Sequence, residues 1–297
     1  MELTRLADGV YYLPGGVNCG VVETENGVLA IDTGLDRGSA NKLARAAEEL
    51  GRPIVAILNT HAHADHHGGN AQLLRKARVP VYAPEVEAEV IRVPRYEAVY
   101  LFGGAAPVSG LVNKFLQAEP SPVDHEVRAG ERVAIDGREV ELVDLAGHSL
   151  AQVGVRVGPV FFAADGIFGL ESLAKHGIPY LVDAGEWRER LRVFGTIDAE
   201  WTVPGHGAAL ADPRETVAAN AAALERGFGW LGERLRRGPA VTEELLVEFA
   251  AEVGMRIADP PSYVLNRATL LGFLSAMERA GSARVVIEGG RWLWAEG

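Results

Sequence analysis

The segment THAHADHHGG, residues 60–69, places four histidines and one aspartate within seven consecutive positions. The chain contains 8 histidines in total, so half of them lie in this one segment. Imidazole and carboxylate groups are good ligands for zinc and related divalent metals, and few other roles need so many of them so close together. The segment therefore predicts a metal site.

The sequence on either side places this segment between a strand and a helix. Residues 54–59 form a short apolar run after Pro53, which predicts a buried strand. Residues 68–77 carry the apolar spacing of a helix. The cluster is therefore expected at the carboxyl end of a strand, where open α/β sheets build their sites.

The spacing within the segment indicates how its side chains are directed. In an extended segment alternate residues face the same side, so we expect His61, His63 and Asp65 to line one side. His66 then approaches from a different angle, a layout that suits two adjacent metals better than one. His67 is expected to point elsewhere and is excluded as a ligand.

Three further candidate ligands follow downstream, each at the end of an apolar run and beside glycine. They are His148 in GHS, Asp165 in AADG and His206 in PGHG. One residue of this kind would be weak evidence. Three of them, in the order His, Asp, His after an H-x-H-x-D-H segment, strongly indicate a metal centre.

With these motifs the sequence resembles the metallo-β-lactamase superfamily. The matching segments are LAIDTG at 29–34, HAHADH at 61–66, GHS at 147–149, AADGIF at 163–168 and PGHG at 204–207. The resemblance covers roughly residues 1–210 and is specific for the superfamily rather than for a substrate. It implies an α+β fold in which two sheets and two helical layers form a four-layer αβ/βα sandwich.

The resemblance also implies a ligand set for two divalent metal ions, with zinc favoured and iron or manganese as alternatives. It assigns the first metal to His61, His63 and His148, the second to Asp65, His66 and His206, and the bridging position to Asp165. Asp32 could cap the helix that begins near Ser39 or satisfy a local turn. In the superfamily the matching aspartate stands behind the metal loop, and we favour this role because such a carboxylate orients the ligands.

The expected activity is hydrolysis by a metal-bound hydroxide, because a bound metal lowers the pKa of water to about 7. Asp65 and Asp165 are the candidate catalytic residues, since either carboxylate could accept the proton of the water. The substrate would be a small thioester, lactone, β-lactam or phosphodiester. The alternatives are a mononuclear iron redox enzyme of the persulfide dioxygenase type, a nuclease that uses the C-terminal tail, and a non-enzymatic binding member.

Composition narrows the class of protein further. The net charge of −11 argues against a general binder of phosphate backbones, so nucleic acid is an unlikely partner without being excluded. The N-terminus shows no signal peptide, and no apolar run is long enough to cross a bilayer. The single cysteine, Cys19, excludes an internal disulfide and favours the cytoplasm. It is interpreted as a small core residue.

Residues 84–124 interrupt the pattern of strands and helices with five prolines and several aromatic residues. In the superfamily this insertion covers the metal site and varies with the substrate. Candidate substrate-binding residues are therefore the aromatic residues of the insertion and three residues after the predicted metal aspartate: Tyr96, Tyr100, Phe102, Phe115, Lys175, His176 and Tyr180. Packing within the insertion is an equally good explanation for each aromatic residue. His125 carries no motif and is interpreted as a surface or structural residue.

The C-terminal region, residues 213–297, follows a catalytic domain expected at 1–212. Asp212 and Pro213 predict the start of a helix that runs to about Arg237, with aspartate as its N-cap. Two more helices, at 242–253 with Thr242 as its cap and at 262–280, and a hairpin over Gly289-Gly290 resemble a winged-helix module. Acidic and basic residues nearly balance here, which favours packing or dimerisation over nucleic-acid binding.

Overall fold

The first sheet of the computed structural model, which describes residues 3–297, has seven strands that follow one another in chain order. The strands are β1 (Thr4–Ala7), β2 (Val10–Leu13), β3 (Cys19–Glu23), β4 (Val28–Ile31), β5 (Ile54–Leu58), β6 (Val81–Pro84) and β7 (His125–Val127). The first four are antiparallel, whereas β4 to β7 pair in parallel. Met1 and Glu2, which belong to the segment in which no signal peptide is expected, lie outside the described residues.

The connections between the parallel strands are helical, as parallel pairing requires. They contain α1 (Arg37–Glu49), α2 (Ala64–His67), α3 (Asn70–Lys76), α4 (Glu85–Arg92), α5 (Arg95–Leu101) and a short 3₁₀ helix at Ser109–Leu111. The N-cap of α1 is Asp36, whose carboxylate accepts hydrogen bonds from the amides of Gly38 and Ser39. Asp32 is therefore not the cap of this helix.

The second sheet has five strands in the order β12-β11-β10-β9-β8. They are β8 (Arg132–Ile135), β9 (Arg138–Asp144), β10 (Val153–Val157), β11 (Val160–Ala164) and β12 (Trp201–Pro204). The segment between β11 and β12 forms α6 (Leu170–His176), α7 (Ala184–Arg190) and a 3₁₀ helix at Leu191–Gly195. Because β11 and β12 are parallel, their carboxyl ends meet at one edge.

Successive side chains of a strand point to opposite faces of its sheet, and this alternation produces the layers of the sandwich. Val22 and Phe162 belong to the apolar cluster between the two sheets. Their chain neighbours face outward: Val21 packs with the helices on the first sheet, and Phe161 packs with those on the second. The expected four-layer α+β sandwich is therefore confirmed.

The C-terminal region follows the predicted order of three helices and a hairpin. Its elements are α8 (Arg214–Arg236), α9 (Thr242–Val253), α10 (Pro260–Arg279), β13 (Ala283–Glu288) and β14 (Arg291–Glu296). Leu224, Phe249 and Phe273 of these helices share one apolar cluster with Phe161 of the second sheet. The winged-helix interpretation stays a prediction. Across residues 3–297, no helix combines the length and the apolar character needed to cross a membrane.

Two predicted helix starts differ from the structure. Pro213 is the N-cap of α8 rather than its first helical residue, and Asp212 accepts a hydrogen bond from the amide of Arg214. Thr242 is the first residue of α9 instead of its cap, a position that Val241 takes. In both cases the boundary shifts by one residue, the usual uncertainty for a helix end.

Candidate metal centre

The histidine-rich segment follows β5 and changes conformation within a few residues. His63 is extended, whereas residues 64–67 close the single helical turn α2, in which the amide of His66 donates to the carbonyl of His63 at 2.9 Å. The prediction that Asp65 continues the extended alternation was therefore wrong. Because the chain turns at position 64, Asp65 and His66 point toward a different group of side chains from His61 and His63.

A first group of donors consists of three imidazoles. His61 Nε2 lies 3.0 Å from His63 Nδ1, and His148 Nε2 lies 2.9 Å from the same atom. His148 comes from the loop after β9, so two separate loops of the two sheets supply this group. All three donor atoms lie within 4.8 Å of one another, close enough to hold one metal ion.

A second group combines Asp65, His66 and His206, with His206 Nε2 at 3.5 Å from Asp65 Oδ2. Asp165 lies between the two groups. Its Oδ2 is 3.3 Å from His148 Nε2 and 3.5 Å from His206 Nε2, and its Oδ1 is 3.4 Å from His66 Nε2. One carboxylate therefore reaches histidines of both groups.

The outer nitrogen of four of these histidines has a fixed partner. Nδ1 of His61 lies 3.0 Å from Thr60 Oγ1, and Nδ1 of His66 lies 2.8 Å from Asp32 Oδ2. Nδ1 of His148 lies 2.8 Å from the carbonyl oxygen of Tyr180, and Nδ1 of His206 lies 2.7 Å from that of Gly16. Carbonyl and carboxylate oxygens only accept hydrogen bonds, so they place the proton on Nδ1. The Nε2 lone pairs are then free and point inward, as metal ligation requires.

Polar atoms without partners support the fit to a metal ion. His66 Nε2 and Asp165 Oδ1 are buried and make no hydrogen bond within residues 3–297. Burial, reinforced by neighbouring histidines, lowers the pKa of His63 to about 3. Asp165 has the opposite effect on His206 and, against the effect of burial, raises its pKa to about 10. A cation held among these donors would satisfy the lone pairs of the first group and the carboxylates of the second.

Asp32 directs its side-chain hydrogen bonds to the metal loop. Oδ1 accepts from the amide of Thr60 at 2.8 Å, and Oδ2 accepts from the Thr60 hydroxyl and from His66 Nδ1, both at 2.8 Å. The backbone of Asp32 is left-handed, with φ of 57°. Aspartate tolerates this region better than most residues, which allows it to turn the chain and to support the loop.

A cavity of about 390 Å³ opens beside both donor groups. Three of the seven candidate substrate residues line it, namely Phe115, His176 and Tyr180. The other four do not belong to this lining and are exposed: Tyr96, Tyr100, Phe102 and Lys175. The aromatic character of the insertion predicted a wall, but it did not distinguish side chains that face the cavity from those that face solvent.

The sequence analysis missed other residues of this wall. Glu97 on α5 lines the cavity, although only 3% of the surface of this residue is exposed. Burial, together with the nearby carboxylates of Asp65 and Glu87, raises the pKa of Glu97 well above its ordinary value. The C-terminal region contributes Arg256 and, from α10, Ser262, Leu265 and Asn266. The region placed outside the catalytic domain thus forms part of the cavity.

The donors of this site lie within a segment that matches a known protein family. A family model described as the metallo-beta-lactamase superfamily matches residues 12–206, which contain the six donors of the two groups and Asp165. The chain belongs to the metallo-beta-lactamase superfamily. As a member with a His/Asp donor set, it is a metallo-hydrolase that binds divalent metal, typically zinc in this superfamily.

Curated relatives in the superfamily are distant. A hydroxyacylglutathione hydrolase from Rhodospirillum rubrum is 28% identical over 280 residues, which is 87% of this chain and 92% of the relative. A hydroxyacylglutathione hydrolase from Synechococcus sp. is 30% identical over 154 residues, covering 52% of this chain and 46% of the relative. An atrochrysone carboxyl ACP thioesterase from Aspergillus fumigatus is 25% identical over 203 residues, 68% of this chain and 54% of the relative.

Solved structures of the superfamily share the fold over almost the whole chain. A beta-lactamase domain protein from Burkholderia ambifaria superposes with a TM-score of 0.77 at 17% identity, covering 99% of this chain and 93% of that protein. A metallo-beta-lactamase family protein from Thermus thermophilus gives a TM-score of 0.74 at 20% identity, covering 99% of this chain and 100% of that protein. The shared fold therefore includes the C-terminal region as well as the sandwich.

Glu87 also contacts the metal-binding loops, although the sequence analysis did not identify it. It lies on α4 and is 4% exposed. Oε2 accepts from the amide of Ala62 at 3.0 Å, and Oε1 accepts from the Ser149 hydroxyl at 2.7 Å and the amide of Ala151 at 2.8 Å. One carboxylate thus joins the loop that carries His61 to the loop that carries His148.

Proposed function

We propose that this chain is a dinuclear metal-dependent hydrolase that acts on small thioesters. The observation that carries the proposal is a pair of three-donor groups with one carboxylate between them. In this assignment the first metal is held by His61, His63 and His148, and the second by Asp65, His66 and His206, with Asp165 shared. Zinc fits the nitrogen and oxygen donors, and iron or manganese fits them as well.

The protein's own groups prepare this site for water attack. When bound, the metals supply a Lewis acid and lower the pKa of a water molecule. Asp65 and Asp165 face the space between the donor groups and are positioned to accept the proton that the water loses. The fixed Nδ1 partners hold the imidazoles in one tautomer, so the ligands need no reorganisation during the reaction.

The preference for a thioester comes from the relatives and from the cavity. By its name the Aspergillus fumigatus relative is a thioesterase, and the Rhodospirillum rubrum relative hydrolyses hydroxyacylglutathione, in which the acyl group is carried on sulfur. The cavity wall includes apolar side chains that suit a short acyl chain: Leu116, Phe168, Leu173, Ile178 and Leu265. We propose that Phe115, His176 and Tyr180, which also line it, contact the substrate.

We further propose a division of labour within the chain. Residues 1–212 supply all seven donors, with the insertion at 84–124 as one wall of the cavity. Residues 213–297 supply a further part of the wall through Arg256 and α10, which packs against the insertion. The C-terminal region therefore acts in substrate binding, in addition to any role in packing.

Metal analysis of the protein purified without added metal is the first test. About two zinc ions per chain are expected, followed by hydrolysis of thioesters ahead of lactones and phosphodiesters in a substrate panel. About one iron per chain, with oxygen uptake in the presence of persulfides, would replace the proposal by the redox alternative.

Variants then test the shared carboxylate. Asp165→Ala is expected to lose metal and to lower kcat/KM by about 1,000-fold or more, because it removes a ligand of both groups. Asp198→Ala, at an exposed aspartate, is the control and should match the wild type. Wild-type metal content and activity in Asp165→Ala would overturn the dinuclear assignment.

A further inference from the structure

Glu97 is a buried acid whose carboxylate has no hydrogen-bond partner in the part of the chain that the structure describes. It lies on α5, is 3% exposed, and contributes to the lining of the cavity. Across residues 3–297, no side chain or backbone amide donates a hydrogen bond to its carboxylate, and no ion pair reaches it. The other buried glutamate of this region, Glu87, has three donors.

An unpartnered carboxylate is costly in this place. The adjacent Ala98 and the nearby Leu101 pack in an apolar cluster with Leu111 and Leu116, while Tyr100 of the same helix carries a hydroxyl near Glu97. A carboxylate that is withdrawn from bulk water and receives no hydrogen bond from the protein is destabilised. The packing of α5 gives no reason for an acid here, but the cavity does, because a bound ligand can supply the missing donor.

The electrostatic surroundings specify what kind of donor fits. Glu87, whose carboxylate is not among the metal donors, acts on Glu97 with the same sign of charge. Arg256 also lines the cavity, but it is exposed at the rim and makes no ion pair with Glu97. An ammonium group at this wall would offset the repulsion among the acids and would gain a charge-assisted hydrogen bond.

We propose that Glu97 binds a protonated amino group of the substrate and so selects cationic substrates. The inference rests on the proposed hydrolase function, whose substrate class it narrows. Tyr180 connects the two parts of the site, since it lines the same cavity and its ring centroid lies 5.3 Å from that of His63. An ammonium group between Glu97 and Tyr180 would also face an aromatic ring, which attracts cations.

Pairs of thioesters with the same shape test this selection. The propionyl thioesters of dimethylaminoethanethiol and of isoamyl thiol differ by one protonated nitrogen on the leaving group. The β-alanyl and butanoyl thioesters of N-acetylcysteamine differ by one ammonium group on the acyl side. In at least one pair, the wild type should show a kcat/KM about tenfold or more higher for the cationic member, as expected for a hydrogen bond between charged groups.

The variant Glu97→Gln keeps the shape but cannot ionise, so it cannot supply the carboxylate that a bound ammonium group would stabilise. It should abolish the preference by lowering kcat/KM for the cationic member, while the neutral member is hydrolysed as by the wild type. Glu89→Gln removes an exposed charge from the neighbouring helix α4 and should retain the preference. The absence of a preference in the wild type would overturn the proposal even if Glu97→Gln did not fold. An equal loss for both members would also overturn it.

A binding measurement separates this proposal from the hydrolase function. The propyl thioethers of the same two thiols cannot be hydrolysed, so calorimetry reports only binding to the wild type and to Glu97→Gln. Tighter binding of the cationic thioether, lost in Glu97→Gln, without hydrolysis of any thioester would overturn the hydrolase function alone. Hydrolysis of both members at equal rates, with equal thioether binding, would overturn the Glu97 proposal alone.

Discussion

Three buried carboxylates around the metal loop differ in what they contact. Asp32 accepts three hydrogen bonds from the loop that carries His66, and Glu87 accepts three from two different ligand loops. Glu97 accepts none from the described residues and faces the cavity. The first two are therefore suited to orient the protein, and the third is suited to meet a ligand.

Replacing Glu87 should weaken metal binding although Glu87 touches no metal donor. Glu87→Ala leaves the amides of Ala62 and Ala151 without their acceptor, at a cost of about 1–3 kcal/mol for each unsatisfied buried group. Because these amides flank His61 and His148 in the chain, we expect metal affinity to fall about 10–100-fold. Competition with a chromogenic chelator measures the change.

The control for Glu87 lies on the same helix. Glu89→Ala removes an exposed glutamate that pairs with Arg92 at the surface, and it should leave metal affinity unchanged. Glu87→Gln keeps one acceptor oxygen and should lie between the wild type and Glu87→Ala. Wild-type affinity in both Glu87 variants would show that the ligand loops hold their positions without this carboxylate.

The metal donors could be predicted from the sequence, whereas the supporting residue Glu87 could not. His61, His148, Asp165 and their partners occur in short motifs at strand ends, so their grouping was predicted before the structure. Glu87 lies among charged residues on a short helix and resembles a solvent-facing acid. Its burial results from contact with Ser149, 62 residues away, which local periodicity does not contain.

Cys19 predicts a pH dependence of stability. Burial raises the pKa of the Cys19 thiol well above its value of about 8.5 in the unfolded chain. The neutral thiol therefore makes its full contribution to stability below about pH 8.5. The contribution is lost as pH rises above about 8.5, by up to about 1.4 kcal/mol per pH unit. Urea unfolding from pH 8 to about pH 10 should show a shallower decline in Cys19→Ala than in the wild type. Equal slopes would contradict this expectation.

At the level of elements, short turns between strands and helices place the donors. The strand before the metal loop was predicted at residues 54–59, within one residue of β5, because apolar runs bounded by turn residues are strong local signals. The single turn α2 was not predicted, since four residues are too few to show a helical period. That turn directs Asp65 away from the side that His61 and His63 share and toward His66 and His206, the group to which the resemblance assigned it.

The loop after β12 gives a prediction at this level. A Cβ at Gly205 would lie 2.1 Å from Asp165 Oδ1 and 3.1 Å from His66 Cε1. Gly205→Ala must therefore displace the shared carboxylate, and we expect at least about a tenfold loss of metal affinity with a stability cost of about 1–3 kcal/mol. Metal per chain after dialysis and thermal unfolding report the two effects.

A second glycine serves as the control for this loop. Gly195 has no heavy atom within 4 Å of its added Cβ, so Gly195→Ala should keep the wild-type metal content. If Gly205→Ala also retained its metals, Asp165 would have enough freedom to move without leaving them. The shared carboxylate would then not be held rigidly by the loop.

At the level of the whole molecule, the sandwich and the C-terminal region are joined by one apolar core. Leu145, Phe161 and Trp187 come from the first 212 residues, and they share a cluster with Phe249 and Phe273. The sequence indicated a boundary between the two regions near residue 212, but not that the two regions bury each other. Packing between distant segments depends on the layers of the fold, which a local pattern does not encode.

Truncation after residue 212 should therefore prevent stable folding. The C-terminal residues of the shared core are apolar side chains whose burial contributes about 1.5–3 kcal/mol each for the large ones, whereas a whole domain is stable by only about 5–15 kcal/mol. We expect residues 1–212 alone to aggregate, and co-expression of residues 213–297 to restore soluble, metal-containing protein. The full chain should unfold in one cooperative transition, measured by calorimetry. A soluble fragment 1–212 with native circular dichroism and metal would instead show that the sandwich folds alone, and that the C-terminal region is needed only for the cavity wall.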